Sequence, residues 1–155
     1  MNSTRAIRAT LLATILLAFA AQCSTPSIQA PAGFAQYEGR GSEFNLVSPD
    51  AVRVRVYKTS NQPKGDLATL TNAMELHFDS LGYEVIKSQS IATNDGLQGR
   101  LFVTRVMTMN GEYRYLASFF PAEDDILIVE AGGRKEDFEP YEKDLIAKIR
   151  TLKAQ

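Results

Sequence analysis

Tryptophan is absent from this 155-residue chain, and cysteine and histidine occur once each, as Cys23 and His77. A single cysteine excludes any internal disulfide framework, so the folded core has to stabilise the chain by itself. The same scarcity excludes a Cys/His zinc cluster, and with Cys23 tied up at the N-terminus there is no Cys/His nucleophile pair to build. A basic excess is missing too, with 17 Lys and Arg against 18 Asp and Glu. That balance argues against nucleic acid as the partner. Also missing is an apolar run of the roughly 20 residues that a membrane-crossing helix needs. The nearest approach, Ala9 to Ala21, has 13.

That short run is nevertheless informative. Arg5 and Arg8 precede it, small residues close it, and Gln22 and Cys23 follow. A basic start, a short hydrophobic stretch and a small-residue cut make an export signal. Ala20-Ala21-Gln22-Cys23 resembles the bacterial lipoprotein signal, in which the cysteine is diacylated and becomes the new N-terminus. It departs from that pattern at Gln22, where a small residue is usual. Ordinary cleavage after Ala18-Phe19-Ala20 is the alternative, and would give a soluble periplasmic or secreted protein. Acylation of Cys23 accounts for a lone thiol in an exported chain without a disulfide partner. The resemblance implies the periplasmic face of a membrane, the outer one in a Gram-negative cell because Ser24 is not aspartate. Residues 1–22 are then signal peptide, and the polar, Pro-interrupted stretch 23–39 reads as a flexible tether. Residues 40–155 remain for one domain. Without Arg5 and Arg8 the mature chain carries 15 basic and 18 acidic residues, a net charge of about −3.

The domain's pattern begins with a short strand, Glu43 to Val47, and a Ser48-Pro49-Asp50 turn. Val52, Val54 and Val56 then alternate with Arg53, Arg55 and Tyr57, as in a half-buried strand. Asp66 caps a helix running to Leu81, with Leu67, Leu70, Met74, Phe78 and Leu81 on one stripe and Gly82 stopping it. Tyr83 to Ser88 reads as a strand. Arg100 to Met109 and Glu112 to Phe120 form a hairpin through Asn110-Gly111. Ile126 to Ala131 is almost purely apolar, as in a central strand covered on both faces. A last helix carries Phe138, Tyr141, Leu145, Ile149 and Leu152, with Pro140 expected in its first turn. The order β-β-α-β-β-β-β-α predicts an α+β fold: a mostly antiparallel sheet of about six strands covered by two helices.

Phe44 with Ser48-Pro49-Asp50, the run Ile126 to Ala131, and a closing helix through Ile146-Ala147-Lys148-Ile149 carry a family likeness. Over residues 40–155 the chain resembles the PsbP-like proteins, a group that includes extrinsic photosystem II proteins, a Ran-binding release factor and small bacterial lipoproteins. The resemblance implies a sandwich fold and a protein that binds a partner or assists assembly, without a shared catalytic constellation. A Gly-Trp pair often follows the Pro-Asp turn in that family; Ala51-Val52 stand here.

The residues offer little chemistry. Glu75 and Asp79 stand two positions either side of His77 on the helix and do not face it. His77 therefore reads as a boundary residue of the apolar stripe. No nucleophile elbow accompanies the serines. Glu123-Asp124-Asp125 lacks the spaced ligands of a calcium loop. Gly132-Gly133 lacks the lysine and hydroxyl of a phosphate cradle. No enzyme activity, cofactor or metal is expected. What remains is basic. Pairing through Asn110-Gly111 sets Met107 opposite Arg114 and Arg105 opposite Leu116, which makes Arg105 and Arg114 diagonal neighbours. With Arg53 and Arg55 they are candidates for binding an anionic ligand or an acidic partner surface. The competing expectation is that Glu and Asp from the covering helices neutralise them as ordinary ion pairs. Leu76, pointing away from the helix stripe, is a second candidate contact for a partner. The function that fits is a non-catalytic, lipid-anchored envelope protein that binds or helps assemble a partner at the membrane. A soluble periplasmic domain that captures a small ligand is the alternative. A concave apolar cavity with converging polar groups separates the second from the first.

Overall fold

The computed structural model describes residues 25–154 apart from positions 40 and 42; Cys23 and the export segment lie outside the described residues. Seven strands and two helices follow one another: β1 Ala35–Tyr37, β2 Phe44–Val47, β3 Arg53–Ser60, α1 Leu67–Ser80, β4 Glu84–Ala92, β5 Gln98–Thr108, β6 Gly111–Pro121, β7 Asp125–Arg134 and α2 Lys135–Ile149. They form one antiparallel sheet in the order β1-β2-β3-β7-β6-β5-β4. This is the expected α+β arrangement with one strand more than expected.

Side chains directly opposite in an antiparallel pair share a face. The register therefore sorts the whole sheet. One face carries Leu46, Val54, Ala131, Leu116 and Val103 in a row, with Val56, Val129 and Leu101 in the next. All are buried, and α2 covers them with Phe138, Leu145 and Ile149. The other face carries the row Tyr37, Asn45, Arg55, Glu130, Ala117, Phe102 and Ser88. Helix α1 packs on the β4–β6 part of that face, where Phe78 meets Phe102 with ring centroids 5.4 Å apart. Asp66 caps α1 by accepting from the Thr69 amide at 2.7 Å, and Gly82, at φ 72°, takes the left-handed position beyond its end. Leu81 leaves the expected stripe and is half exposed.

Four expectations change. The stretch 23–39, read as a tether, is attached to the domain from Ser27 onward. Ser27 pairs with Lys153, Ile28 enters the α2-side core, Phe34 packs edge-on against Tyr141, and β1 joins the sheet. Its prolines and small residues mask two apolar anchors, Ile28 and Phe34. In the β5–β6 hairpin the loop is Met109-Asn110, and only Gly111 has positive φ, 110°. Arg105 therefore stands directly opposite Arg114, not diagonal to it, and Met107 faces Glu112. A shift of the turn by one residue moves the pairing by two, so both arginines keep their face. Strand β7 runs on through Gly132 and Gly133, and α2 starts at Lys135, which puts Pro140 beyond the first turn. Its missing N–H leaves the Glu136 carbonyl without its helical partner, at an exposed position open to solvent.

Candidate functional site

Helix α1 does not reach β2 and β3, so that side of its face stays open. At the centre of the row across the sheet, β7 places a carboxylate, Glu130, within a strand otherwise lined with apolar residues. Strand β3 pairs with β7 so that Arg55 lies opposite it. Arg55 donates to Glu130 Oε2 from Nε at 3.0 Å and from Nη2 at 2.6 Å. The phenols of Tyr115 and Tyr57 donate to Oε1 at 2.6 and 3.1 Å. Four hydrogen bonds from three side chains thus fill the four lone-pair directions of one carboxylate. The guanidinium of Arg55 also stacks over Tyr57, 4.6 Å from its ring centroid.

The electrostatics follow from this packing. Burial, then the charge and hydrogen bond of Glu130, push the Tyr57 hydroxyl up to about 12. The more buried Tyr115 hydroxyl is pushed up further for the same reasons. The hydrogen bond to Glu130 raises Arg55 despite its partial burial. Both phenols stay protonated and the guanidinium stays charged at neutral pH.

Two cavities meet at this cluster and share Arg55, Tyr115 and Glu130. A pocket of about 400 Å³ lies between α1 and the sheet, walled by Met74, Phe78, Leu81, Tyr83, Phe119 and Ile128, with His77 and Tyr57 also lining it. An open cleft of about 680 Å³ continues toward β1 and β2, lined by Tyr37, Glu38, Glu43, Asn45 and Arg53 over Gly132. Gly132 leaves the cleft floor bare, although a Cβ there would meet only ordinary contacts at 3.5 Å or more. Its neighbour Gly133 is required by packing, since a Cβ would come within 2.9 Å of Val52.

The four arginines do not form one patch. Arg53 and Arg55 are on the α1 face, whereas Arg105 and Arg114 are on the α2 face. Arg105 makes a bidentate pair with Glu84 at 2.7 and 2.8 Å. Arg114 is nearly buried between Glu112 and Glu139, and Lys135 joins Glu112. Arg55 holds Glu130 and lies 3.6 Å from Glu43. Among the described residues only Arg53 of the four has no carboxylate partner. The cleft is not basic either: Arg53 and Arg55 are set against Glu38, Glu43 and Glu130. Ion pairing accounts for three of the four, but the carboxylates come from the sheet and the residue before β2, and only Glu139 comes from a covering helix as expected. Glu130 escaped the sequence reading, although an acid inside an apolar strand is itself a signal for a buried partner.

Among the described residues, no group of three or more His, Cys, Asp or Glu side chains is arranged to hold a metal, and no helix is long and apolar enough to cross a membrane.

The structure resembles cyanobacterial PsbP (CyanoP) from Synechocystis sp. PCC 6803, with a TM-score of 0.60 and 13% identity over 84% of this chain and 87% of that one. The chain has the PsbP-like fold. A Pseudomonas aeruginosa protein of unknown function matches with a TM-score of 0.61 and 14% identity over 88% of each chain. A Bacteroides thetaiotaomicron protein matches at 0.53 with 15% identity, over 84% of this chain and 45% of that one. No protein-family model and no curated protein matches the sequence. At these identities the PsbP-like likeness concerns the fold.

Proposed function

We propose that this is a non-catalytic binding protein of the cell envelope, exported and held at the periplasmic face of a membrane through an acylated Cys23. The observation that carries the binding role is the pair of adjoining cavities on the open α1 face: a concave apolar pocket on which Arg55, Tyr57, His77 and Glu130 converge. This favours small-ligand capture over docking on a flat patch. A catalytic role finds no support in this cluster, because the carboxylate and both phenols are engaged with one another. Partner docking has its own support in the hairpin tip, where Met107 and Met109 are exposed, and in Leu76 on α1. Three residues separate Cys23 from Ser27, the first paired among the described residues. Even fully extended, that leash spans only about 14 Å, so an anchored domain stays against its membrane.

Mass measurement of full-length protein purified from membranes tests both parts. Denatured, the expected mass is the chain from Cys23 plus acyl groups, lost in Cys23→Ser. Under native conditions a further non-covalent small molecule is expected. A chain starting near Ala21, unchanged by the substitution, contradicts the anchor. Native protein that carries only other proteins contradicts ligand capture and favours docking.

A further inference from the structure

We propose that the pocket under α1 takes a small molecule with an apolar, ring-sized body and a single carboxylate head, held by Arg55 and His77. The proposal rests on the ligand-capture reading above and names the ligand class. The body follows from the walls. Phe78, Tyr83, Phe119, Met74 and Ile128 enclose about 400 Å³, which lies in the range of pockets for small organic ligands.

The head follows from which hydrogens remain free. Glu130 already accepts four hydrogen bonds, so the one anionic acceptor lining the pocket has no room for a ligand donor. Tyr57 and Tyr115 each own one hydroxyl hydrogen, and both donate it to Glu130. The donors left along the pocket are the Tyr83 hydroxyl and the exposed His77 ring, neither of which makes a hydrogen bond among the described residues, and Arg55 Nη1, which is ion-paired with Glu43 at 3.6 Å but not hydrogen-bonded to it. Free donors without a free anionic acceptor select a ligand that accepts, and arginine binds carboxylates best. Glu38 and Glu43 on the adjoining cleft disfavour a polyanion and restrict the head to one charge.

Calorimetric titration of the exported protein with 3-phenylpropanoate, 3-phenylpropanol and 3-phenylpropylammonium tests this, because the three share a body and differ only in the head. The acid should bind about 10–100-fold more tightly than the ammonium, with the alcohol between them, as expected for one charge-assisted hydrogen bond gained. His77→Ala, at an exposed position, should weaken the acid about 10-fold and leave the alcohol unchanged. Ala117→Leu, on the pocket floor, should weaken all three. Ammonium binding as well as the acid, or a His77→Ala effect equal on acid and alcohol, overturns the proposed head. Absence of binding by all three overturns the pocket assignment, while the anchor and partner-docking readings stand or fall on the mass measurement.

Discussion

Strand β3 faces two environments at once. Toward α2 it presents Val54 and Val56, continuing Val52 just before it, each without exposed surface; toward α1 it presents Arg53, Arg55 and Tyr57. The α2 side is closed by aliphatic packing along its length. The α1 side is closed over β4–β6 and the start of β7, by contacts around Phe78, and its remainder is held by hydrogen bonds to one carboxylate. The difference separates stability from function. A face sealed by α2 has no room for a ligand, whereas a face left open beside α1 needs internal polar partners to survive without a cover.

The largest test of that contrast is Phe138→Ala, which empties a fully buried site under α2. It should cost about 3–5 kcal/mol in denaturant unfolding and leave the α1 pocket's ligand affinity unchanged in whatever fraction stays folded. A loss of affinity without loss of stability would join the two faces that the account keeps apart.

Next comes Glu130→Gln, which removes the charge but keeps the shape. Arg55 and two phenols lose their common acceptor, and about 2 kcal/mol of stability should go with it. The alkaline limb offers a second readout. Tyr57 has its pKa raised in the folded protein, to about 12, from an ordinary value near 10. The folded state therefore holds a proton that the unfolded state releases. Stability is complete below about pH 10 and falls as pH rises toward about 12. Glu130→Gln should narrow this window, and phenol absorbance should show Tyr57 titrating earlier. An unchanged alkaline profile would mean that the carboxylate is not what holds the phenol.

The two opposed arginines of the hairpin sharpen the comparison further. Arg114 is nearly buried between two glutamates, whereas the Arg105–Glu84 pair is about half exposed on both sides. Arg114→Ala leaves Glu112 with Lys135 alone and Glu139 without its partner, and should cost clearly more stability than the exposed pair does. Arg105→Ala should cost no more than about 1 kcal/mol. Equal costs would show that burial does not set the strength of these pairs. The smallest effect is expected at Ala51, the turn residue at φ 62°. Ala51→Gly relieves the left-handed strain but loosens the unfolded chain, so unfolding free energy should change by less than about 1 kcal/mol, in the stabilising direction.

Alternation and caps made most of the fold legible. The Val52/Val54/Val56 pattern marked the α2-side core, and Asp66 and Gly82 bounded α1 to within a residue. Three features were not legible, each for a physical reason. The tether reading rested on composition, which does not reveal that Ile28 and Phe34 have a core to enter. Glycine at position 111 is needed in either turn, so the dipeptide alone did not say which pair forms the loop. The Glu130 cluster depends on β3 lying beside β7, a pairing between residues 75 positions apart that no local pattern encodes.

The proposed binding role puts the ligand on the open α1 face. A backbone amide shift map of the protein titrated with 3-phenylpropanoate tests it most directly. Shifts are expected to concentrate at Arg55, Tyr57, His77, Phe78, Tyr115, Ile128 and Glu130, with Phe138, Leu145 and the Met107–Met109 tip unmoved. Shifts centred on the hairpin tip or on α2, with the Glu130 cluster unmoved, would contradict it.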